Sequence, residues 1–115
     1  MQSAVNAFLN FLRVERNSSA LTIKSYADDL QHLCEFFVEQ FQHEPAPDSI
    51  DVTQLRSYVA YMHECGYARA TVARRLACLR SFFRFCCRDG LASSNPLTKD
   101  SNPPAIQLGR LASTT

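Results

Sequence analysis

The sequence predicts an all-α domain built as a four-helix bundle. Apolar residues recur at helical spacing in four separate stretches. Only three glycines (Gly66, Gly90, Gly109) occur in 115 residues, and none interrupts a periodic stretch. Such economy of turn residues fits long helices joined by short loops, because a strand-rich domain needs a turn every ~8–12 residues. The length suits one compact domain, and eight Phe with four Tyr supply bulky core material.

In the first stretch Val5, Phe8, Leu9 and Leu12 fall at i, i+3, i+4 and i+7, which predicts a helix from about Ser3 to Glu15. Asn17-Ser18-Ser19 breaks the pattern and offers Ser19 as an N-cap. The second helix is expected over Ala20 to Phe41, with Ile23, Tyr26, Leu30, Leu33, Phe37 and Phe41 facing inward. The run His43-Glu44-Pro45-Ala46-Pro47-Asp48 cannot continue a helix. Asp51 and Gln54 have capping-box spacing and open a third helix to about Cys65, with Leu55, Tyr58, Val59 and Met62 as its core face. Gly66 is its expected stop. After the joint Tyr67-Ala68, the fourth helix presents the stripe Val72, Leu76, Leu79, Phe83 and Cys86, and Gly90 ends it. Residues 1–95 are read as the domain and 96–115 as a linker or tail, in which Ile106, Leu108 and Leu111 fit neither period well.

Net charge is only +1, but the charges are segregated. Asp28 to Glu64 holds eight acidic residues against one basic residue, Arg56, while Cys65 to Arg88 holds six Arg and no acid. Local charge, not the sum, is what a phosphate backbone feels. The five Cys (34, 65, 78, 86, 87) are odd in number and lack a CxxC. They read as reduced, mostly buried thiols in a cytoplasmic protein. No apolar run approaches the ~20 residues of a membrane span.

The fourth helix carries the functional signal. At 100° per residue Arg69, Arg74, Arg80, Arg84 and Arg88 spread over the flank and back of the apolar stripe, with Arg75 on its edge. Six guanidinium groups without an acid repel one another unless an anion binds. The competing reading is a solvated face whose arginines pair with the acidic second and third helices, Arg80 first among them. Thr22, Lys24 and Ser25 on the second helix, and Thr71 and Arg74 on the fourth, set hydroxyl and cationic groups in first turns. Unpaired N–H groups and the helix dipole favour phosphate there.

Catalytic and metal chemistry find no support in the residue pattern. His32, His43 and His63 have no partners at metal or triad spacing and read as surface histidines. The neighbours Asp28 and Asp29 point ~100° apart and cannot converge on one metal. Phe36-Phe37 and Phe82-Phe83 read as core filling, one ring of each covering a helix–helix seam. Neither a cofactor nor a small-molecule substrate is expected.

Phe8 to Arg16, the spaced set Ser19, Thr22, Ile23, Tyr26, Asp29 and Leu30, and the run Gly66 to Phe83 followed by Asn95-Pro96 occur in one order and spacing. Over residues 4–97 the chain thereby resembles the N-terminal core-binding domain of XerC- and XerD-like tyrosine recombinases of the phage integrase family. The resemblance implies a SAM-like bundle of orthogonally packed helices. It further implies a domain that clamps double-stranded DNA at a recombination half-site, beside other recombinase protomers, with the first halves of the second and fourth helices in the major groove. The contacting positions it assigns are Thr22, Lys24, Ser25 and Asp28, then Arg69, Ala70, Thr71, Arg74 and Arg75. Two features depart from the family pattern: Ala68 stands where a Ser cap is usual, and Asn102-Pro103-Pro104-Ala105 replaces the family's linker. No H-x-x-R and no nucleophilic Tyr context occurs, so the chain is expected to lack the catalytic domain and to be unable to cut DNA. The rival reading is a helical protein-interaction adaptor, since one fold serves many functions. Metal chemistry through Cys and His is a weaker third.

Overall fold

The computed structural model describes residues 1–93 and 95–97. Four helices follow one another: α1 (Gln2–Val14), α2 (Ala20–Phe41), α3 (Val52–Glu64) and α4 (Arg69–Arg88), with a 3-10 turn over Pro47–Ser49 before α3. No strand occurs among the described residues.

The helix ends follow from local chemistry. Ser19 Oγ accepts the Thr22 N–H at 3.1 Å and starts α2. Asp51 and Gln54 cap α3 reciprocally: the Gln54 N–H donates to Asp51 Oδ1 at 2.8 Å, and the Asp51 N–H to Gln54 Oε1 at 3.1 Å. Both α3 and α4 close in Schellman turns at a glycine. Gly66 (φ +86°) and Gly90 (φ +76°) adopt the left-handed conformation. The Tyr67 N–H then reaches Met62 O, and the Leu91 N–H reaches Cys86 O. At α2 the same left-handed turn falls on Gln42 (φ +65°), without a glycine to announce it.

The core is an aromatic seam between α1, α2, α3 and α4. Phe8 of α1 lies 5.8 Å from Tyr26, 5.5 Å from Phe82 and 5.5 Å from Phe85. Phe36 of α2 meets Tyr58 and Tyr61 of α3 at 5.1 and 5.0 Å. The expected stripes of α3 and α4 are buried throughout. The buried face of α4 is wider than its sequence stripe, however, and includes Cys78, Phe82 and Phe85. Both rings of each Phe doublet are buried, not one. The cause is position: α4 packs on α1, α2 and α3, so both flanks of its stripe are covered. Each buried Phe contributes about 1.5–3 kcal/mol by leaving water.

All five cysteines are free, but only Cys78 and Cys86 are fully buried; Cys34 and Cys87 are half-buried and Cys65 is exposed. Cys65 follows the last turn of α3, where its side chain has left the core face. Beyond α4 the chain stays on the bundle: Ala92, Pro96 and Leu97 are buried. The Ser93 N–H and hydroxyl both donate to Asp48 Oδ1 at 2.8 Å. Ile106, Leu108 and Leu111 lie outside the described residues. No helix among the described residues is long and apolar enough to cross a membrane.

Candidate nucleic-acid interface

On α2, Ser25, Asp29 and His32 fall at i, i+4 and i+7, next to the buried Leu30 and Leu33. This polar line meets Arg74 and Arg75 of α4. One nitrogen of Arg74, Nη1, donates to Asp29 Oδ1 at 3.0 Å, to Asp29 Oδ2 at 2.9 Å and to Ser25 Oγ at 3.1 Å. The Asp29 side chain is 4% exposed and that of Arg74 49%. A buried carboxylate is costly unless paired and hydrogen-bonded, and this grip ties the first turns of α2 to those of α4.

Arg75 approaches the same carboxylate from inside the bundle. Its side chain is 14% exposed, with Nε 3.6 Å from Asp29 Oδ1. Its guanidinium lies 4.5 Å over the Tyr67 ring, and Nη1 is 3.5 Å from His32 Nε2. The Nε atom is buried and makes no hydrogen bond. Among the arginines singled out for contact, Arg75 is therefore the one turned into the protein, and it buttresses the α2–α4 junction.

The remaining residues lie at the two helix starts. Thr22 is exposed, but its Oγ1 accepts the Ser19 hydroxyl at 3.0 Å, which engages it in its own cap. Lys24 pairs with Asp28 at 3.0 Å, both well exposed, an arrangement that holds the amine weakly. Arg69 is exposed in the first turn of α4, and Thr71 is half-buried behind it. Ala68 occupies the N-cap with extended backbone (φ −63°, ψ 151°) and has no side chain to accept a first-turn N–H. The start of α4 therefore combines unpaired N–H donors with Arg69 and Arg74 and no carboxylate within its first turn.

Two expectations are corrected. Arg80 forms no ion pair among the described residues; Arg74 and Arg75 do so instead, because they alone face the buried Asp29. Arg80 lies half-buried, and burial together with the like charge of Arg84 pulls its pKa below the usual value. His32 is no isolated surface residue either. Its Nδ1 is 2.7 Å from the Tyr58 hydroxyl and its Nε2 is 3.3 Å from that of Tyr67. Burial, then the charge of Arg75, lowers its pKa. Sequence reasoning misses Asp29 and His32 as site-formers, because their partners lie on α4 and α3, far away along the chain. The signal was the spacing of Ser25, Asp29 and His32 along one face. Among the described residues no group of three or more His, Cys, Asp or Glu is placed to hold a metal ion.

Comparison with known proteins agrees with this architecture. Residues 5–90 match the family described as "Phage integrase, N-terminal SAM-like domain". The chain is 41% identical over 102 residues to tyrosine recombinase XerC of Pelotomaculum thermopropionicum, covering 86% of this chain and 33% of that protein. It is 35% identical over 103 residues to XerC of Halalkalibacterium halodurans, covering 90% and 33%. It is 32% identical over 107 residues to XerD of Listeria monocytogenes, covering 93% and 36%. The chain thus spans about a third of the length of the curated relatives it matches. No solved structure matches it significantly. A match over most of the chain, on an all-α four-helix fold, makes this chain a member of the phage integrase N-terminal SAM-like domain family.

Proposed function

We propose that this chain binds double-stranded DNA at a recombination half-site, as the N-terminal clamp domain of a site-specific tyrosine recombinase. The observation that carries the proposal is the Arg74–Asp29–Ser25 junction, which fixes the starts of α2 and α4 side by side. Lys24, Arg69 and the exposed part of Arg74 belong to the first two turns of these helices, and the uncapped start of α4 adds free N–H donors for the phosphate backbone. The relatives are named tyrosine recombinases, and in such a protein strand cleavage falls to a catalytic domain outside residues 1–95. Other recombinase protomers are its protein partners, and the five free thiols suit a reducing cytoplasm. Thr22 and Thr71 bond phosphate or their own helix, Ser25 and Arg75 position Arg74, and Lys24, Arg69 and Arg74 make the long-range contacts. The acid-free α4 disfavours the adaptor reading, in which six arginines serve only an acidic partner.

A salt titration of binding to a short half-site duplex and to its scrambled version tests this. Affinity should fall linearly on log–log axes, and Arg69→Gln should make the slope shallower by about 0.9, one phosphate contact. Salt-insensitive or absent binding to both duplexes ends the proposal.

A further inference from the structure

The far end of α4 carries arginines that lie away from the two helix starts assigned above to half-site binding. Arg80, Arg84 and Arg88 recur every four residues, so they stack along one face about 6 Å apart. Arg88 lies about 28 Å along the helix from Arg69, well away from the helix starts. Where α1 packs against this end, a cleft of about 160 Å³ opens between the two helices.

The lining of the cleft is one-sided in charge. Arg16, Arg84 and Arg88 line it with the hydroxyl-bearing Ser81 and Tyr26, over an aromatic floor that includes Phe11 and Phe85, and no carboxylate contributes. Arg16 and Arg84 form no ion pair among the described residues. The Arg88 guanidinium lies 4.4 Å over the Phe11 ring and 5.7 Å from that of Phe85, which fixes it at the rim. Its contact to Asp89 is 3.5 Å long between two half-exposed side chains and neutralises it little.

Three guanidinium groups around a concave, aromatic-floored site concentrate positive potential, and each offers the fork geometry that suits an oxyanion. Size narrows the occupant. The cleft is well below the ~300–1,000 Å³ of pockets that enclose a drug-sized ligand or cofactor. A single tetrahedral oxyanion is the group that matches both its charge and its volume.

We propose that the cleft between α1 and the end of α4 is a phosphate-binding site, in which Arg16, Arg84 and Arg88 hold one phosphate group. That group comes either from free inorganic phosphate or from one backbone phosphate of a nucleic-acid strand. The site shares no residue with the helix-start set Thr22, Lys24, Ser25, Arg69, Thr71, Arg74 and Arg75.

The test is a titration of the intact chain with inorganic phosphate at constant ionic strength, balanced by chloride and read by the arginine Nε–H resonances and the thermal midpoint. A saturable response is expected. The double variant Arg16→Gln/Arg84→Gln should weaken it about tenfold through lost charge-assisted bonds, whereas Arg56→Gln, on α3, should leave it unaltered. A response no larger than that to chloride overturns the proposal. So does an equal response to acetate, or one that the double variant retains. A duplex then separates the sources. Weakened duplex binding in the double variant assigns the site to a nucleic-acid phosphate, and unaltered duplex binding assigns it to the free ion. Arg69→Gln tests the half-site reading separately, so either idea can fail without the other.

Discussion

Arg74 holds both carboxylate oxygens of Asp29 with a single nitrogen, at 2.9 and 3.0 Å, across 45 residues of sequence. The arginine is half-exposed and the aspartate is not, so this contact joins the stability of the bundle to its outer surface. Asp29→Ala should destabilise the domain by about 1–3 kcal/mol, because the buried Arg75 Nε loses the carboxylate 3.6 Å from it. Arg69→Gln should cost almost nothing. Denaturant midpoints of the two variants check this, and equal stability of both would mean that the junction is not structural.

The junction also sets how Arg74 must be tested. Removing its charge perturbs the fold and the surface together. Arg74→Lys keeps a cation beside Asp29 but loses the guanidinium fork. If Arg74 reads a guanine, that variant should lose about 1–3 kcal/mol on half-site DNA and clearly less on scrambled DNA, with little shift in thermal midpoint. Equal losses on both duplexes would place Arg74 on backbone phosphate instead.

His32 gives the domain a pH dependence of predictable sign. Its folded-state pKa is lowered from the ordinary 6.5 by burial and by Arg75, against the opposing charges of Glu35 and Asp29. The folded state therefore takes up the proton less readily than the unfolded chain. Its contribution to stability is complete above the ordinary imidazole pKa, and it declines as pH falls through that value toward the lowered one. The rings of Tyr58, Tyr61 and Tyr67 pack around the imidazole. His32→Gln should flatten the fall in thermal midpoint between about pH 7 and 5. A slope identical to that of the native chain would remove His32 as its source.

Thiol labelling should rank the cysteines by burial. Cys65 is exposed and should react first in native buffer. Burial pushes the thiols of Cys78 and Cys86 up to about 12 each, so little thiolate forms and little reagent reaches them. Labelling of these two should wait for unfolding. Early reaction of either in native buffer would contradict the packing of α4.

Ala68 leaves the start of α4 without a side-chain acceptor, although its backbone already has the extended shape of a cap. Ala68→Ser should stabilise the domain by about 1 kcal/mol, which raises the thermal midpoint of a domain this size by about 4–8 °C. An unaltered midpoint would mean that water or a bound anion already satisfies those N–H groups.

The helices, and those of their ends that carry a local cap or glycine, are legible in the sequence. Those features depend on residues within a few positions of one another: Ser19 capping Thr22, Asp51 with Gln54, and the glycines at 66 and 90, which adopt a left-handed conformation at no steric cost. The sequence also locates the arginine-rich helix and the two helix starts. What each arginine does depends on the packed fold, because it is set by which side chain of a distant helix lies opposite. Five of the six arginines of α4 share the flank and back of a helical wheel, and nothing local separates Arg74, gripping Asp29, from Arg80, with no carboxylate beside it. Arg75 lies at the edge of the apolar stripe on a helical wheel, and packing on Tyr67 and His32 turns that edge inward. The wider burial of α4 has the same origin: a periodic stripe records one packing direction, and this helix is packed from three.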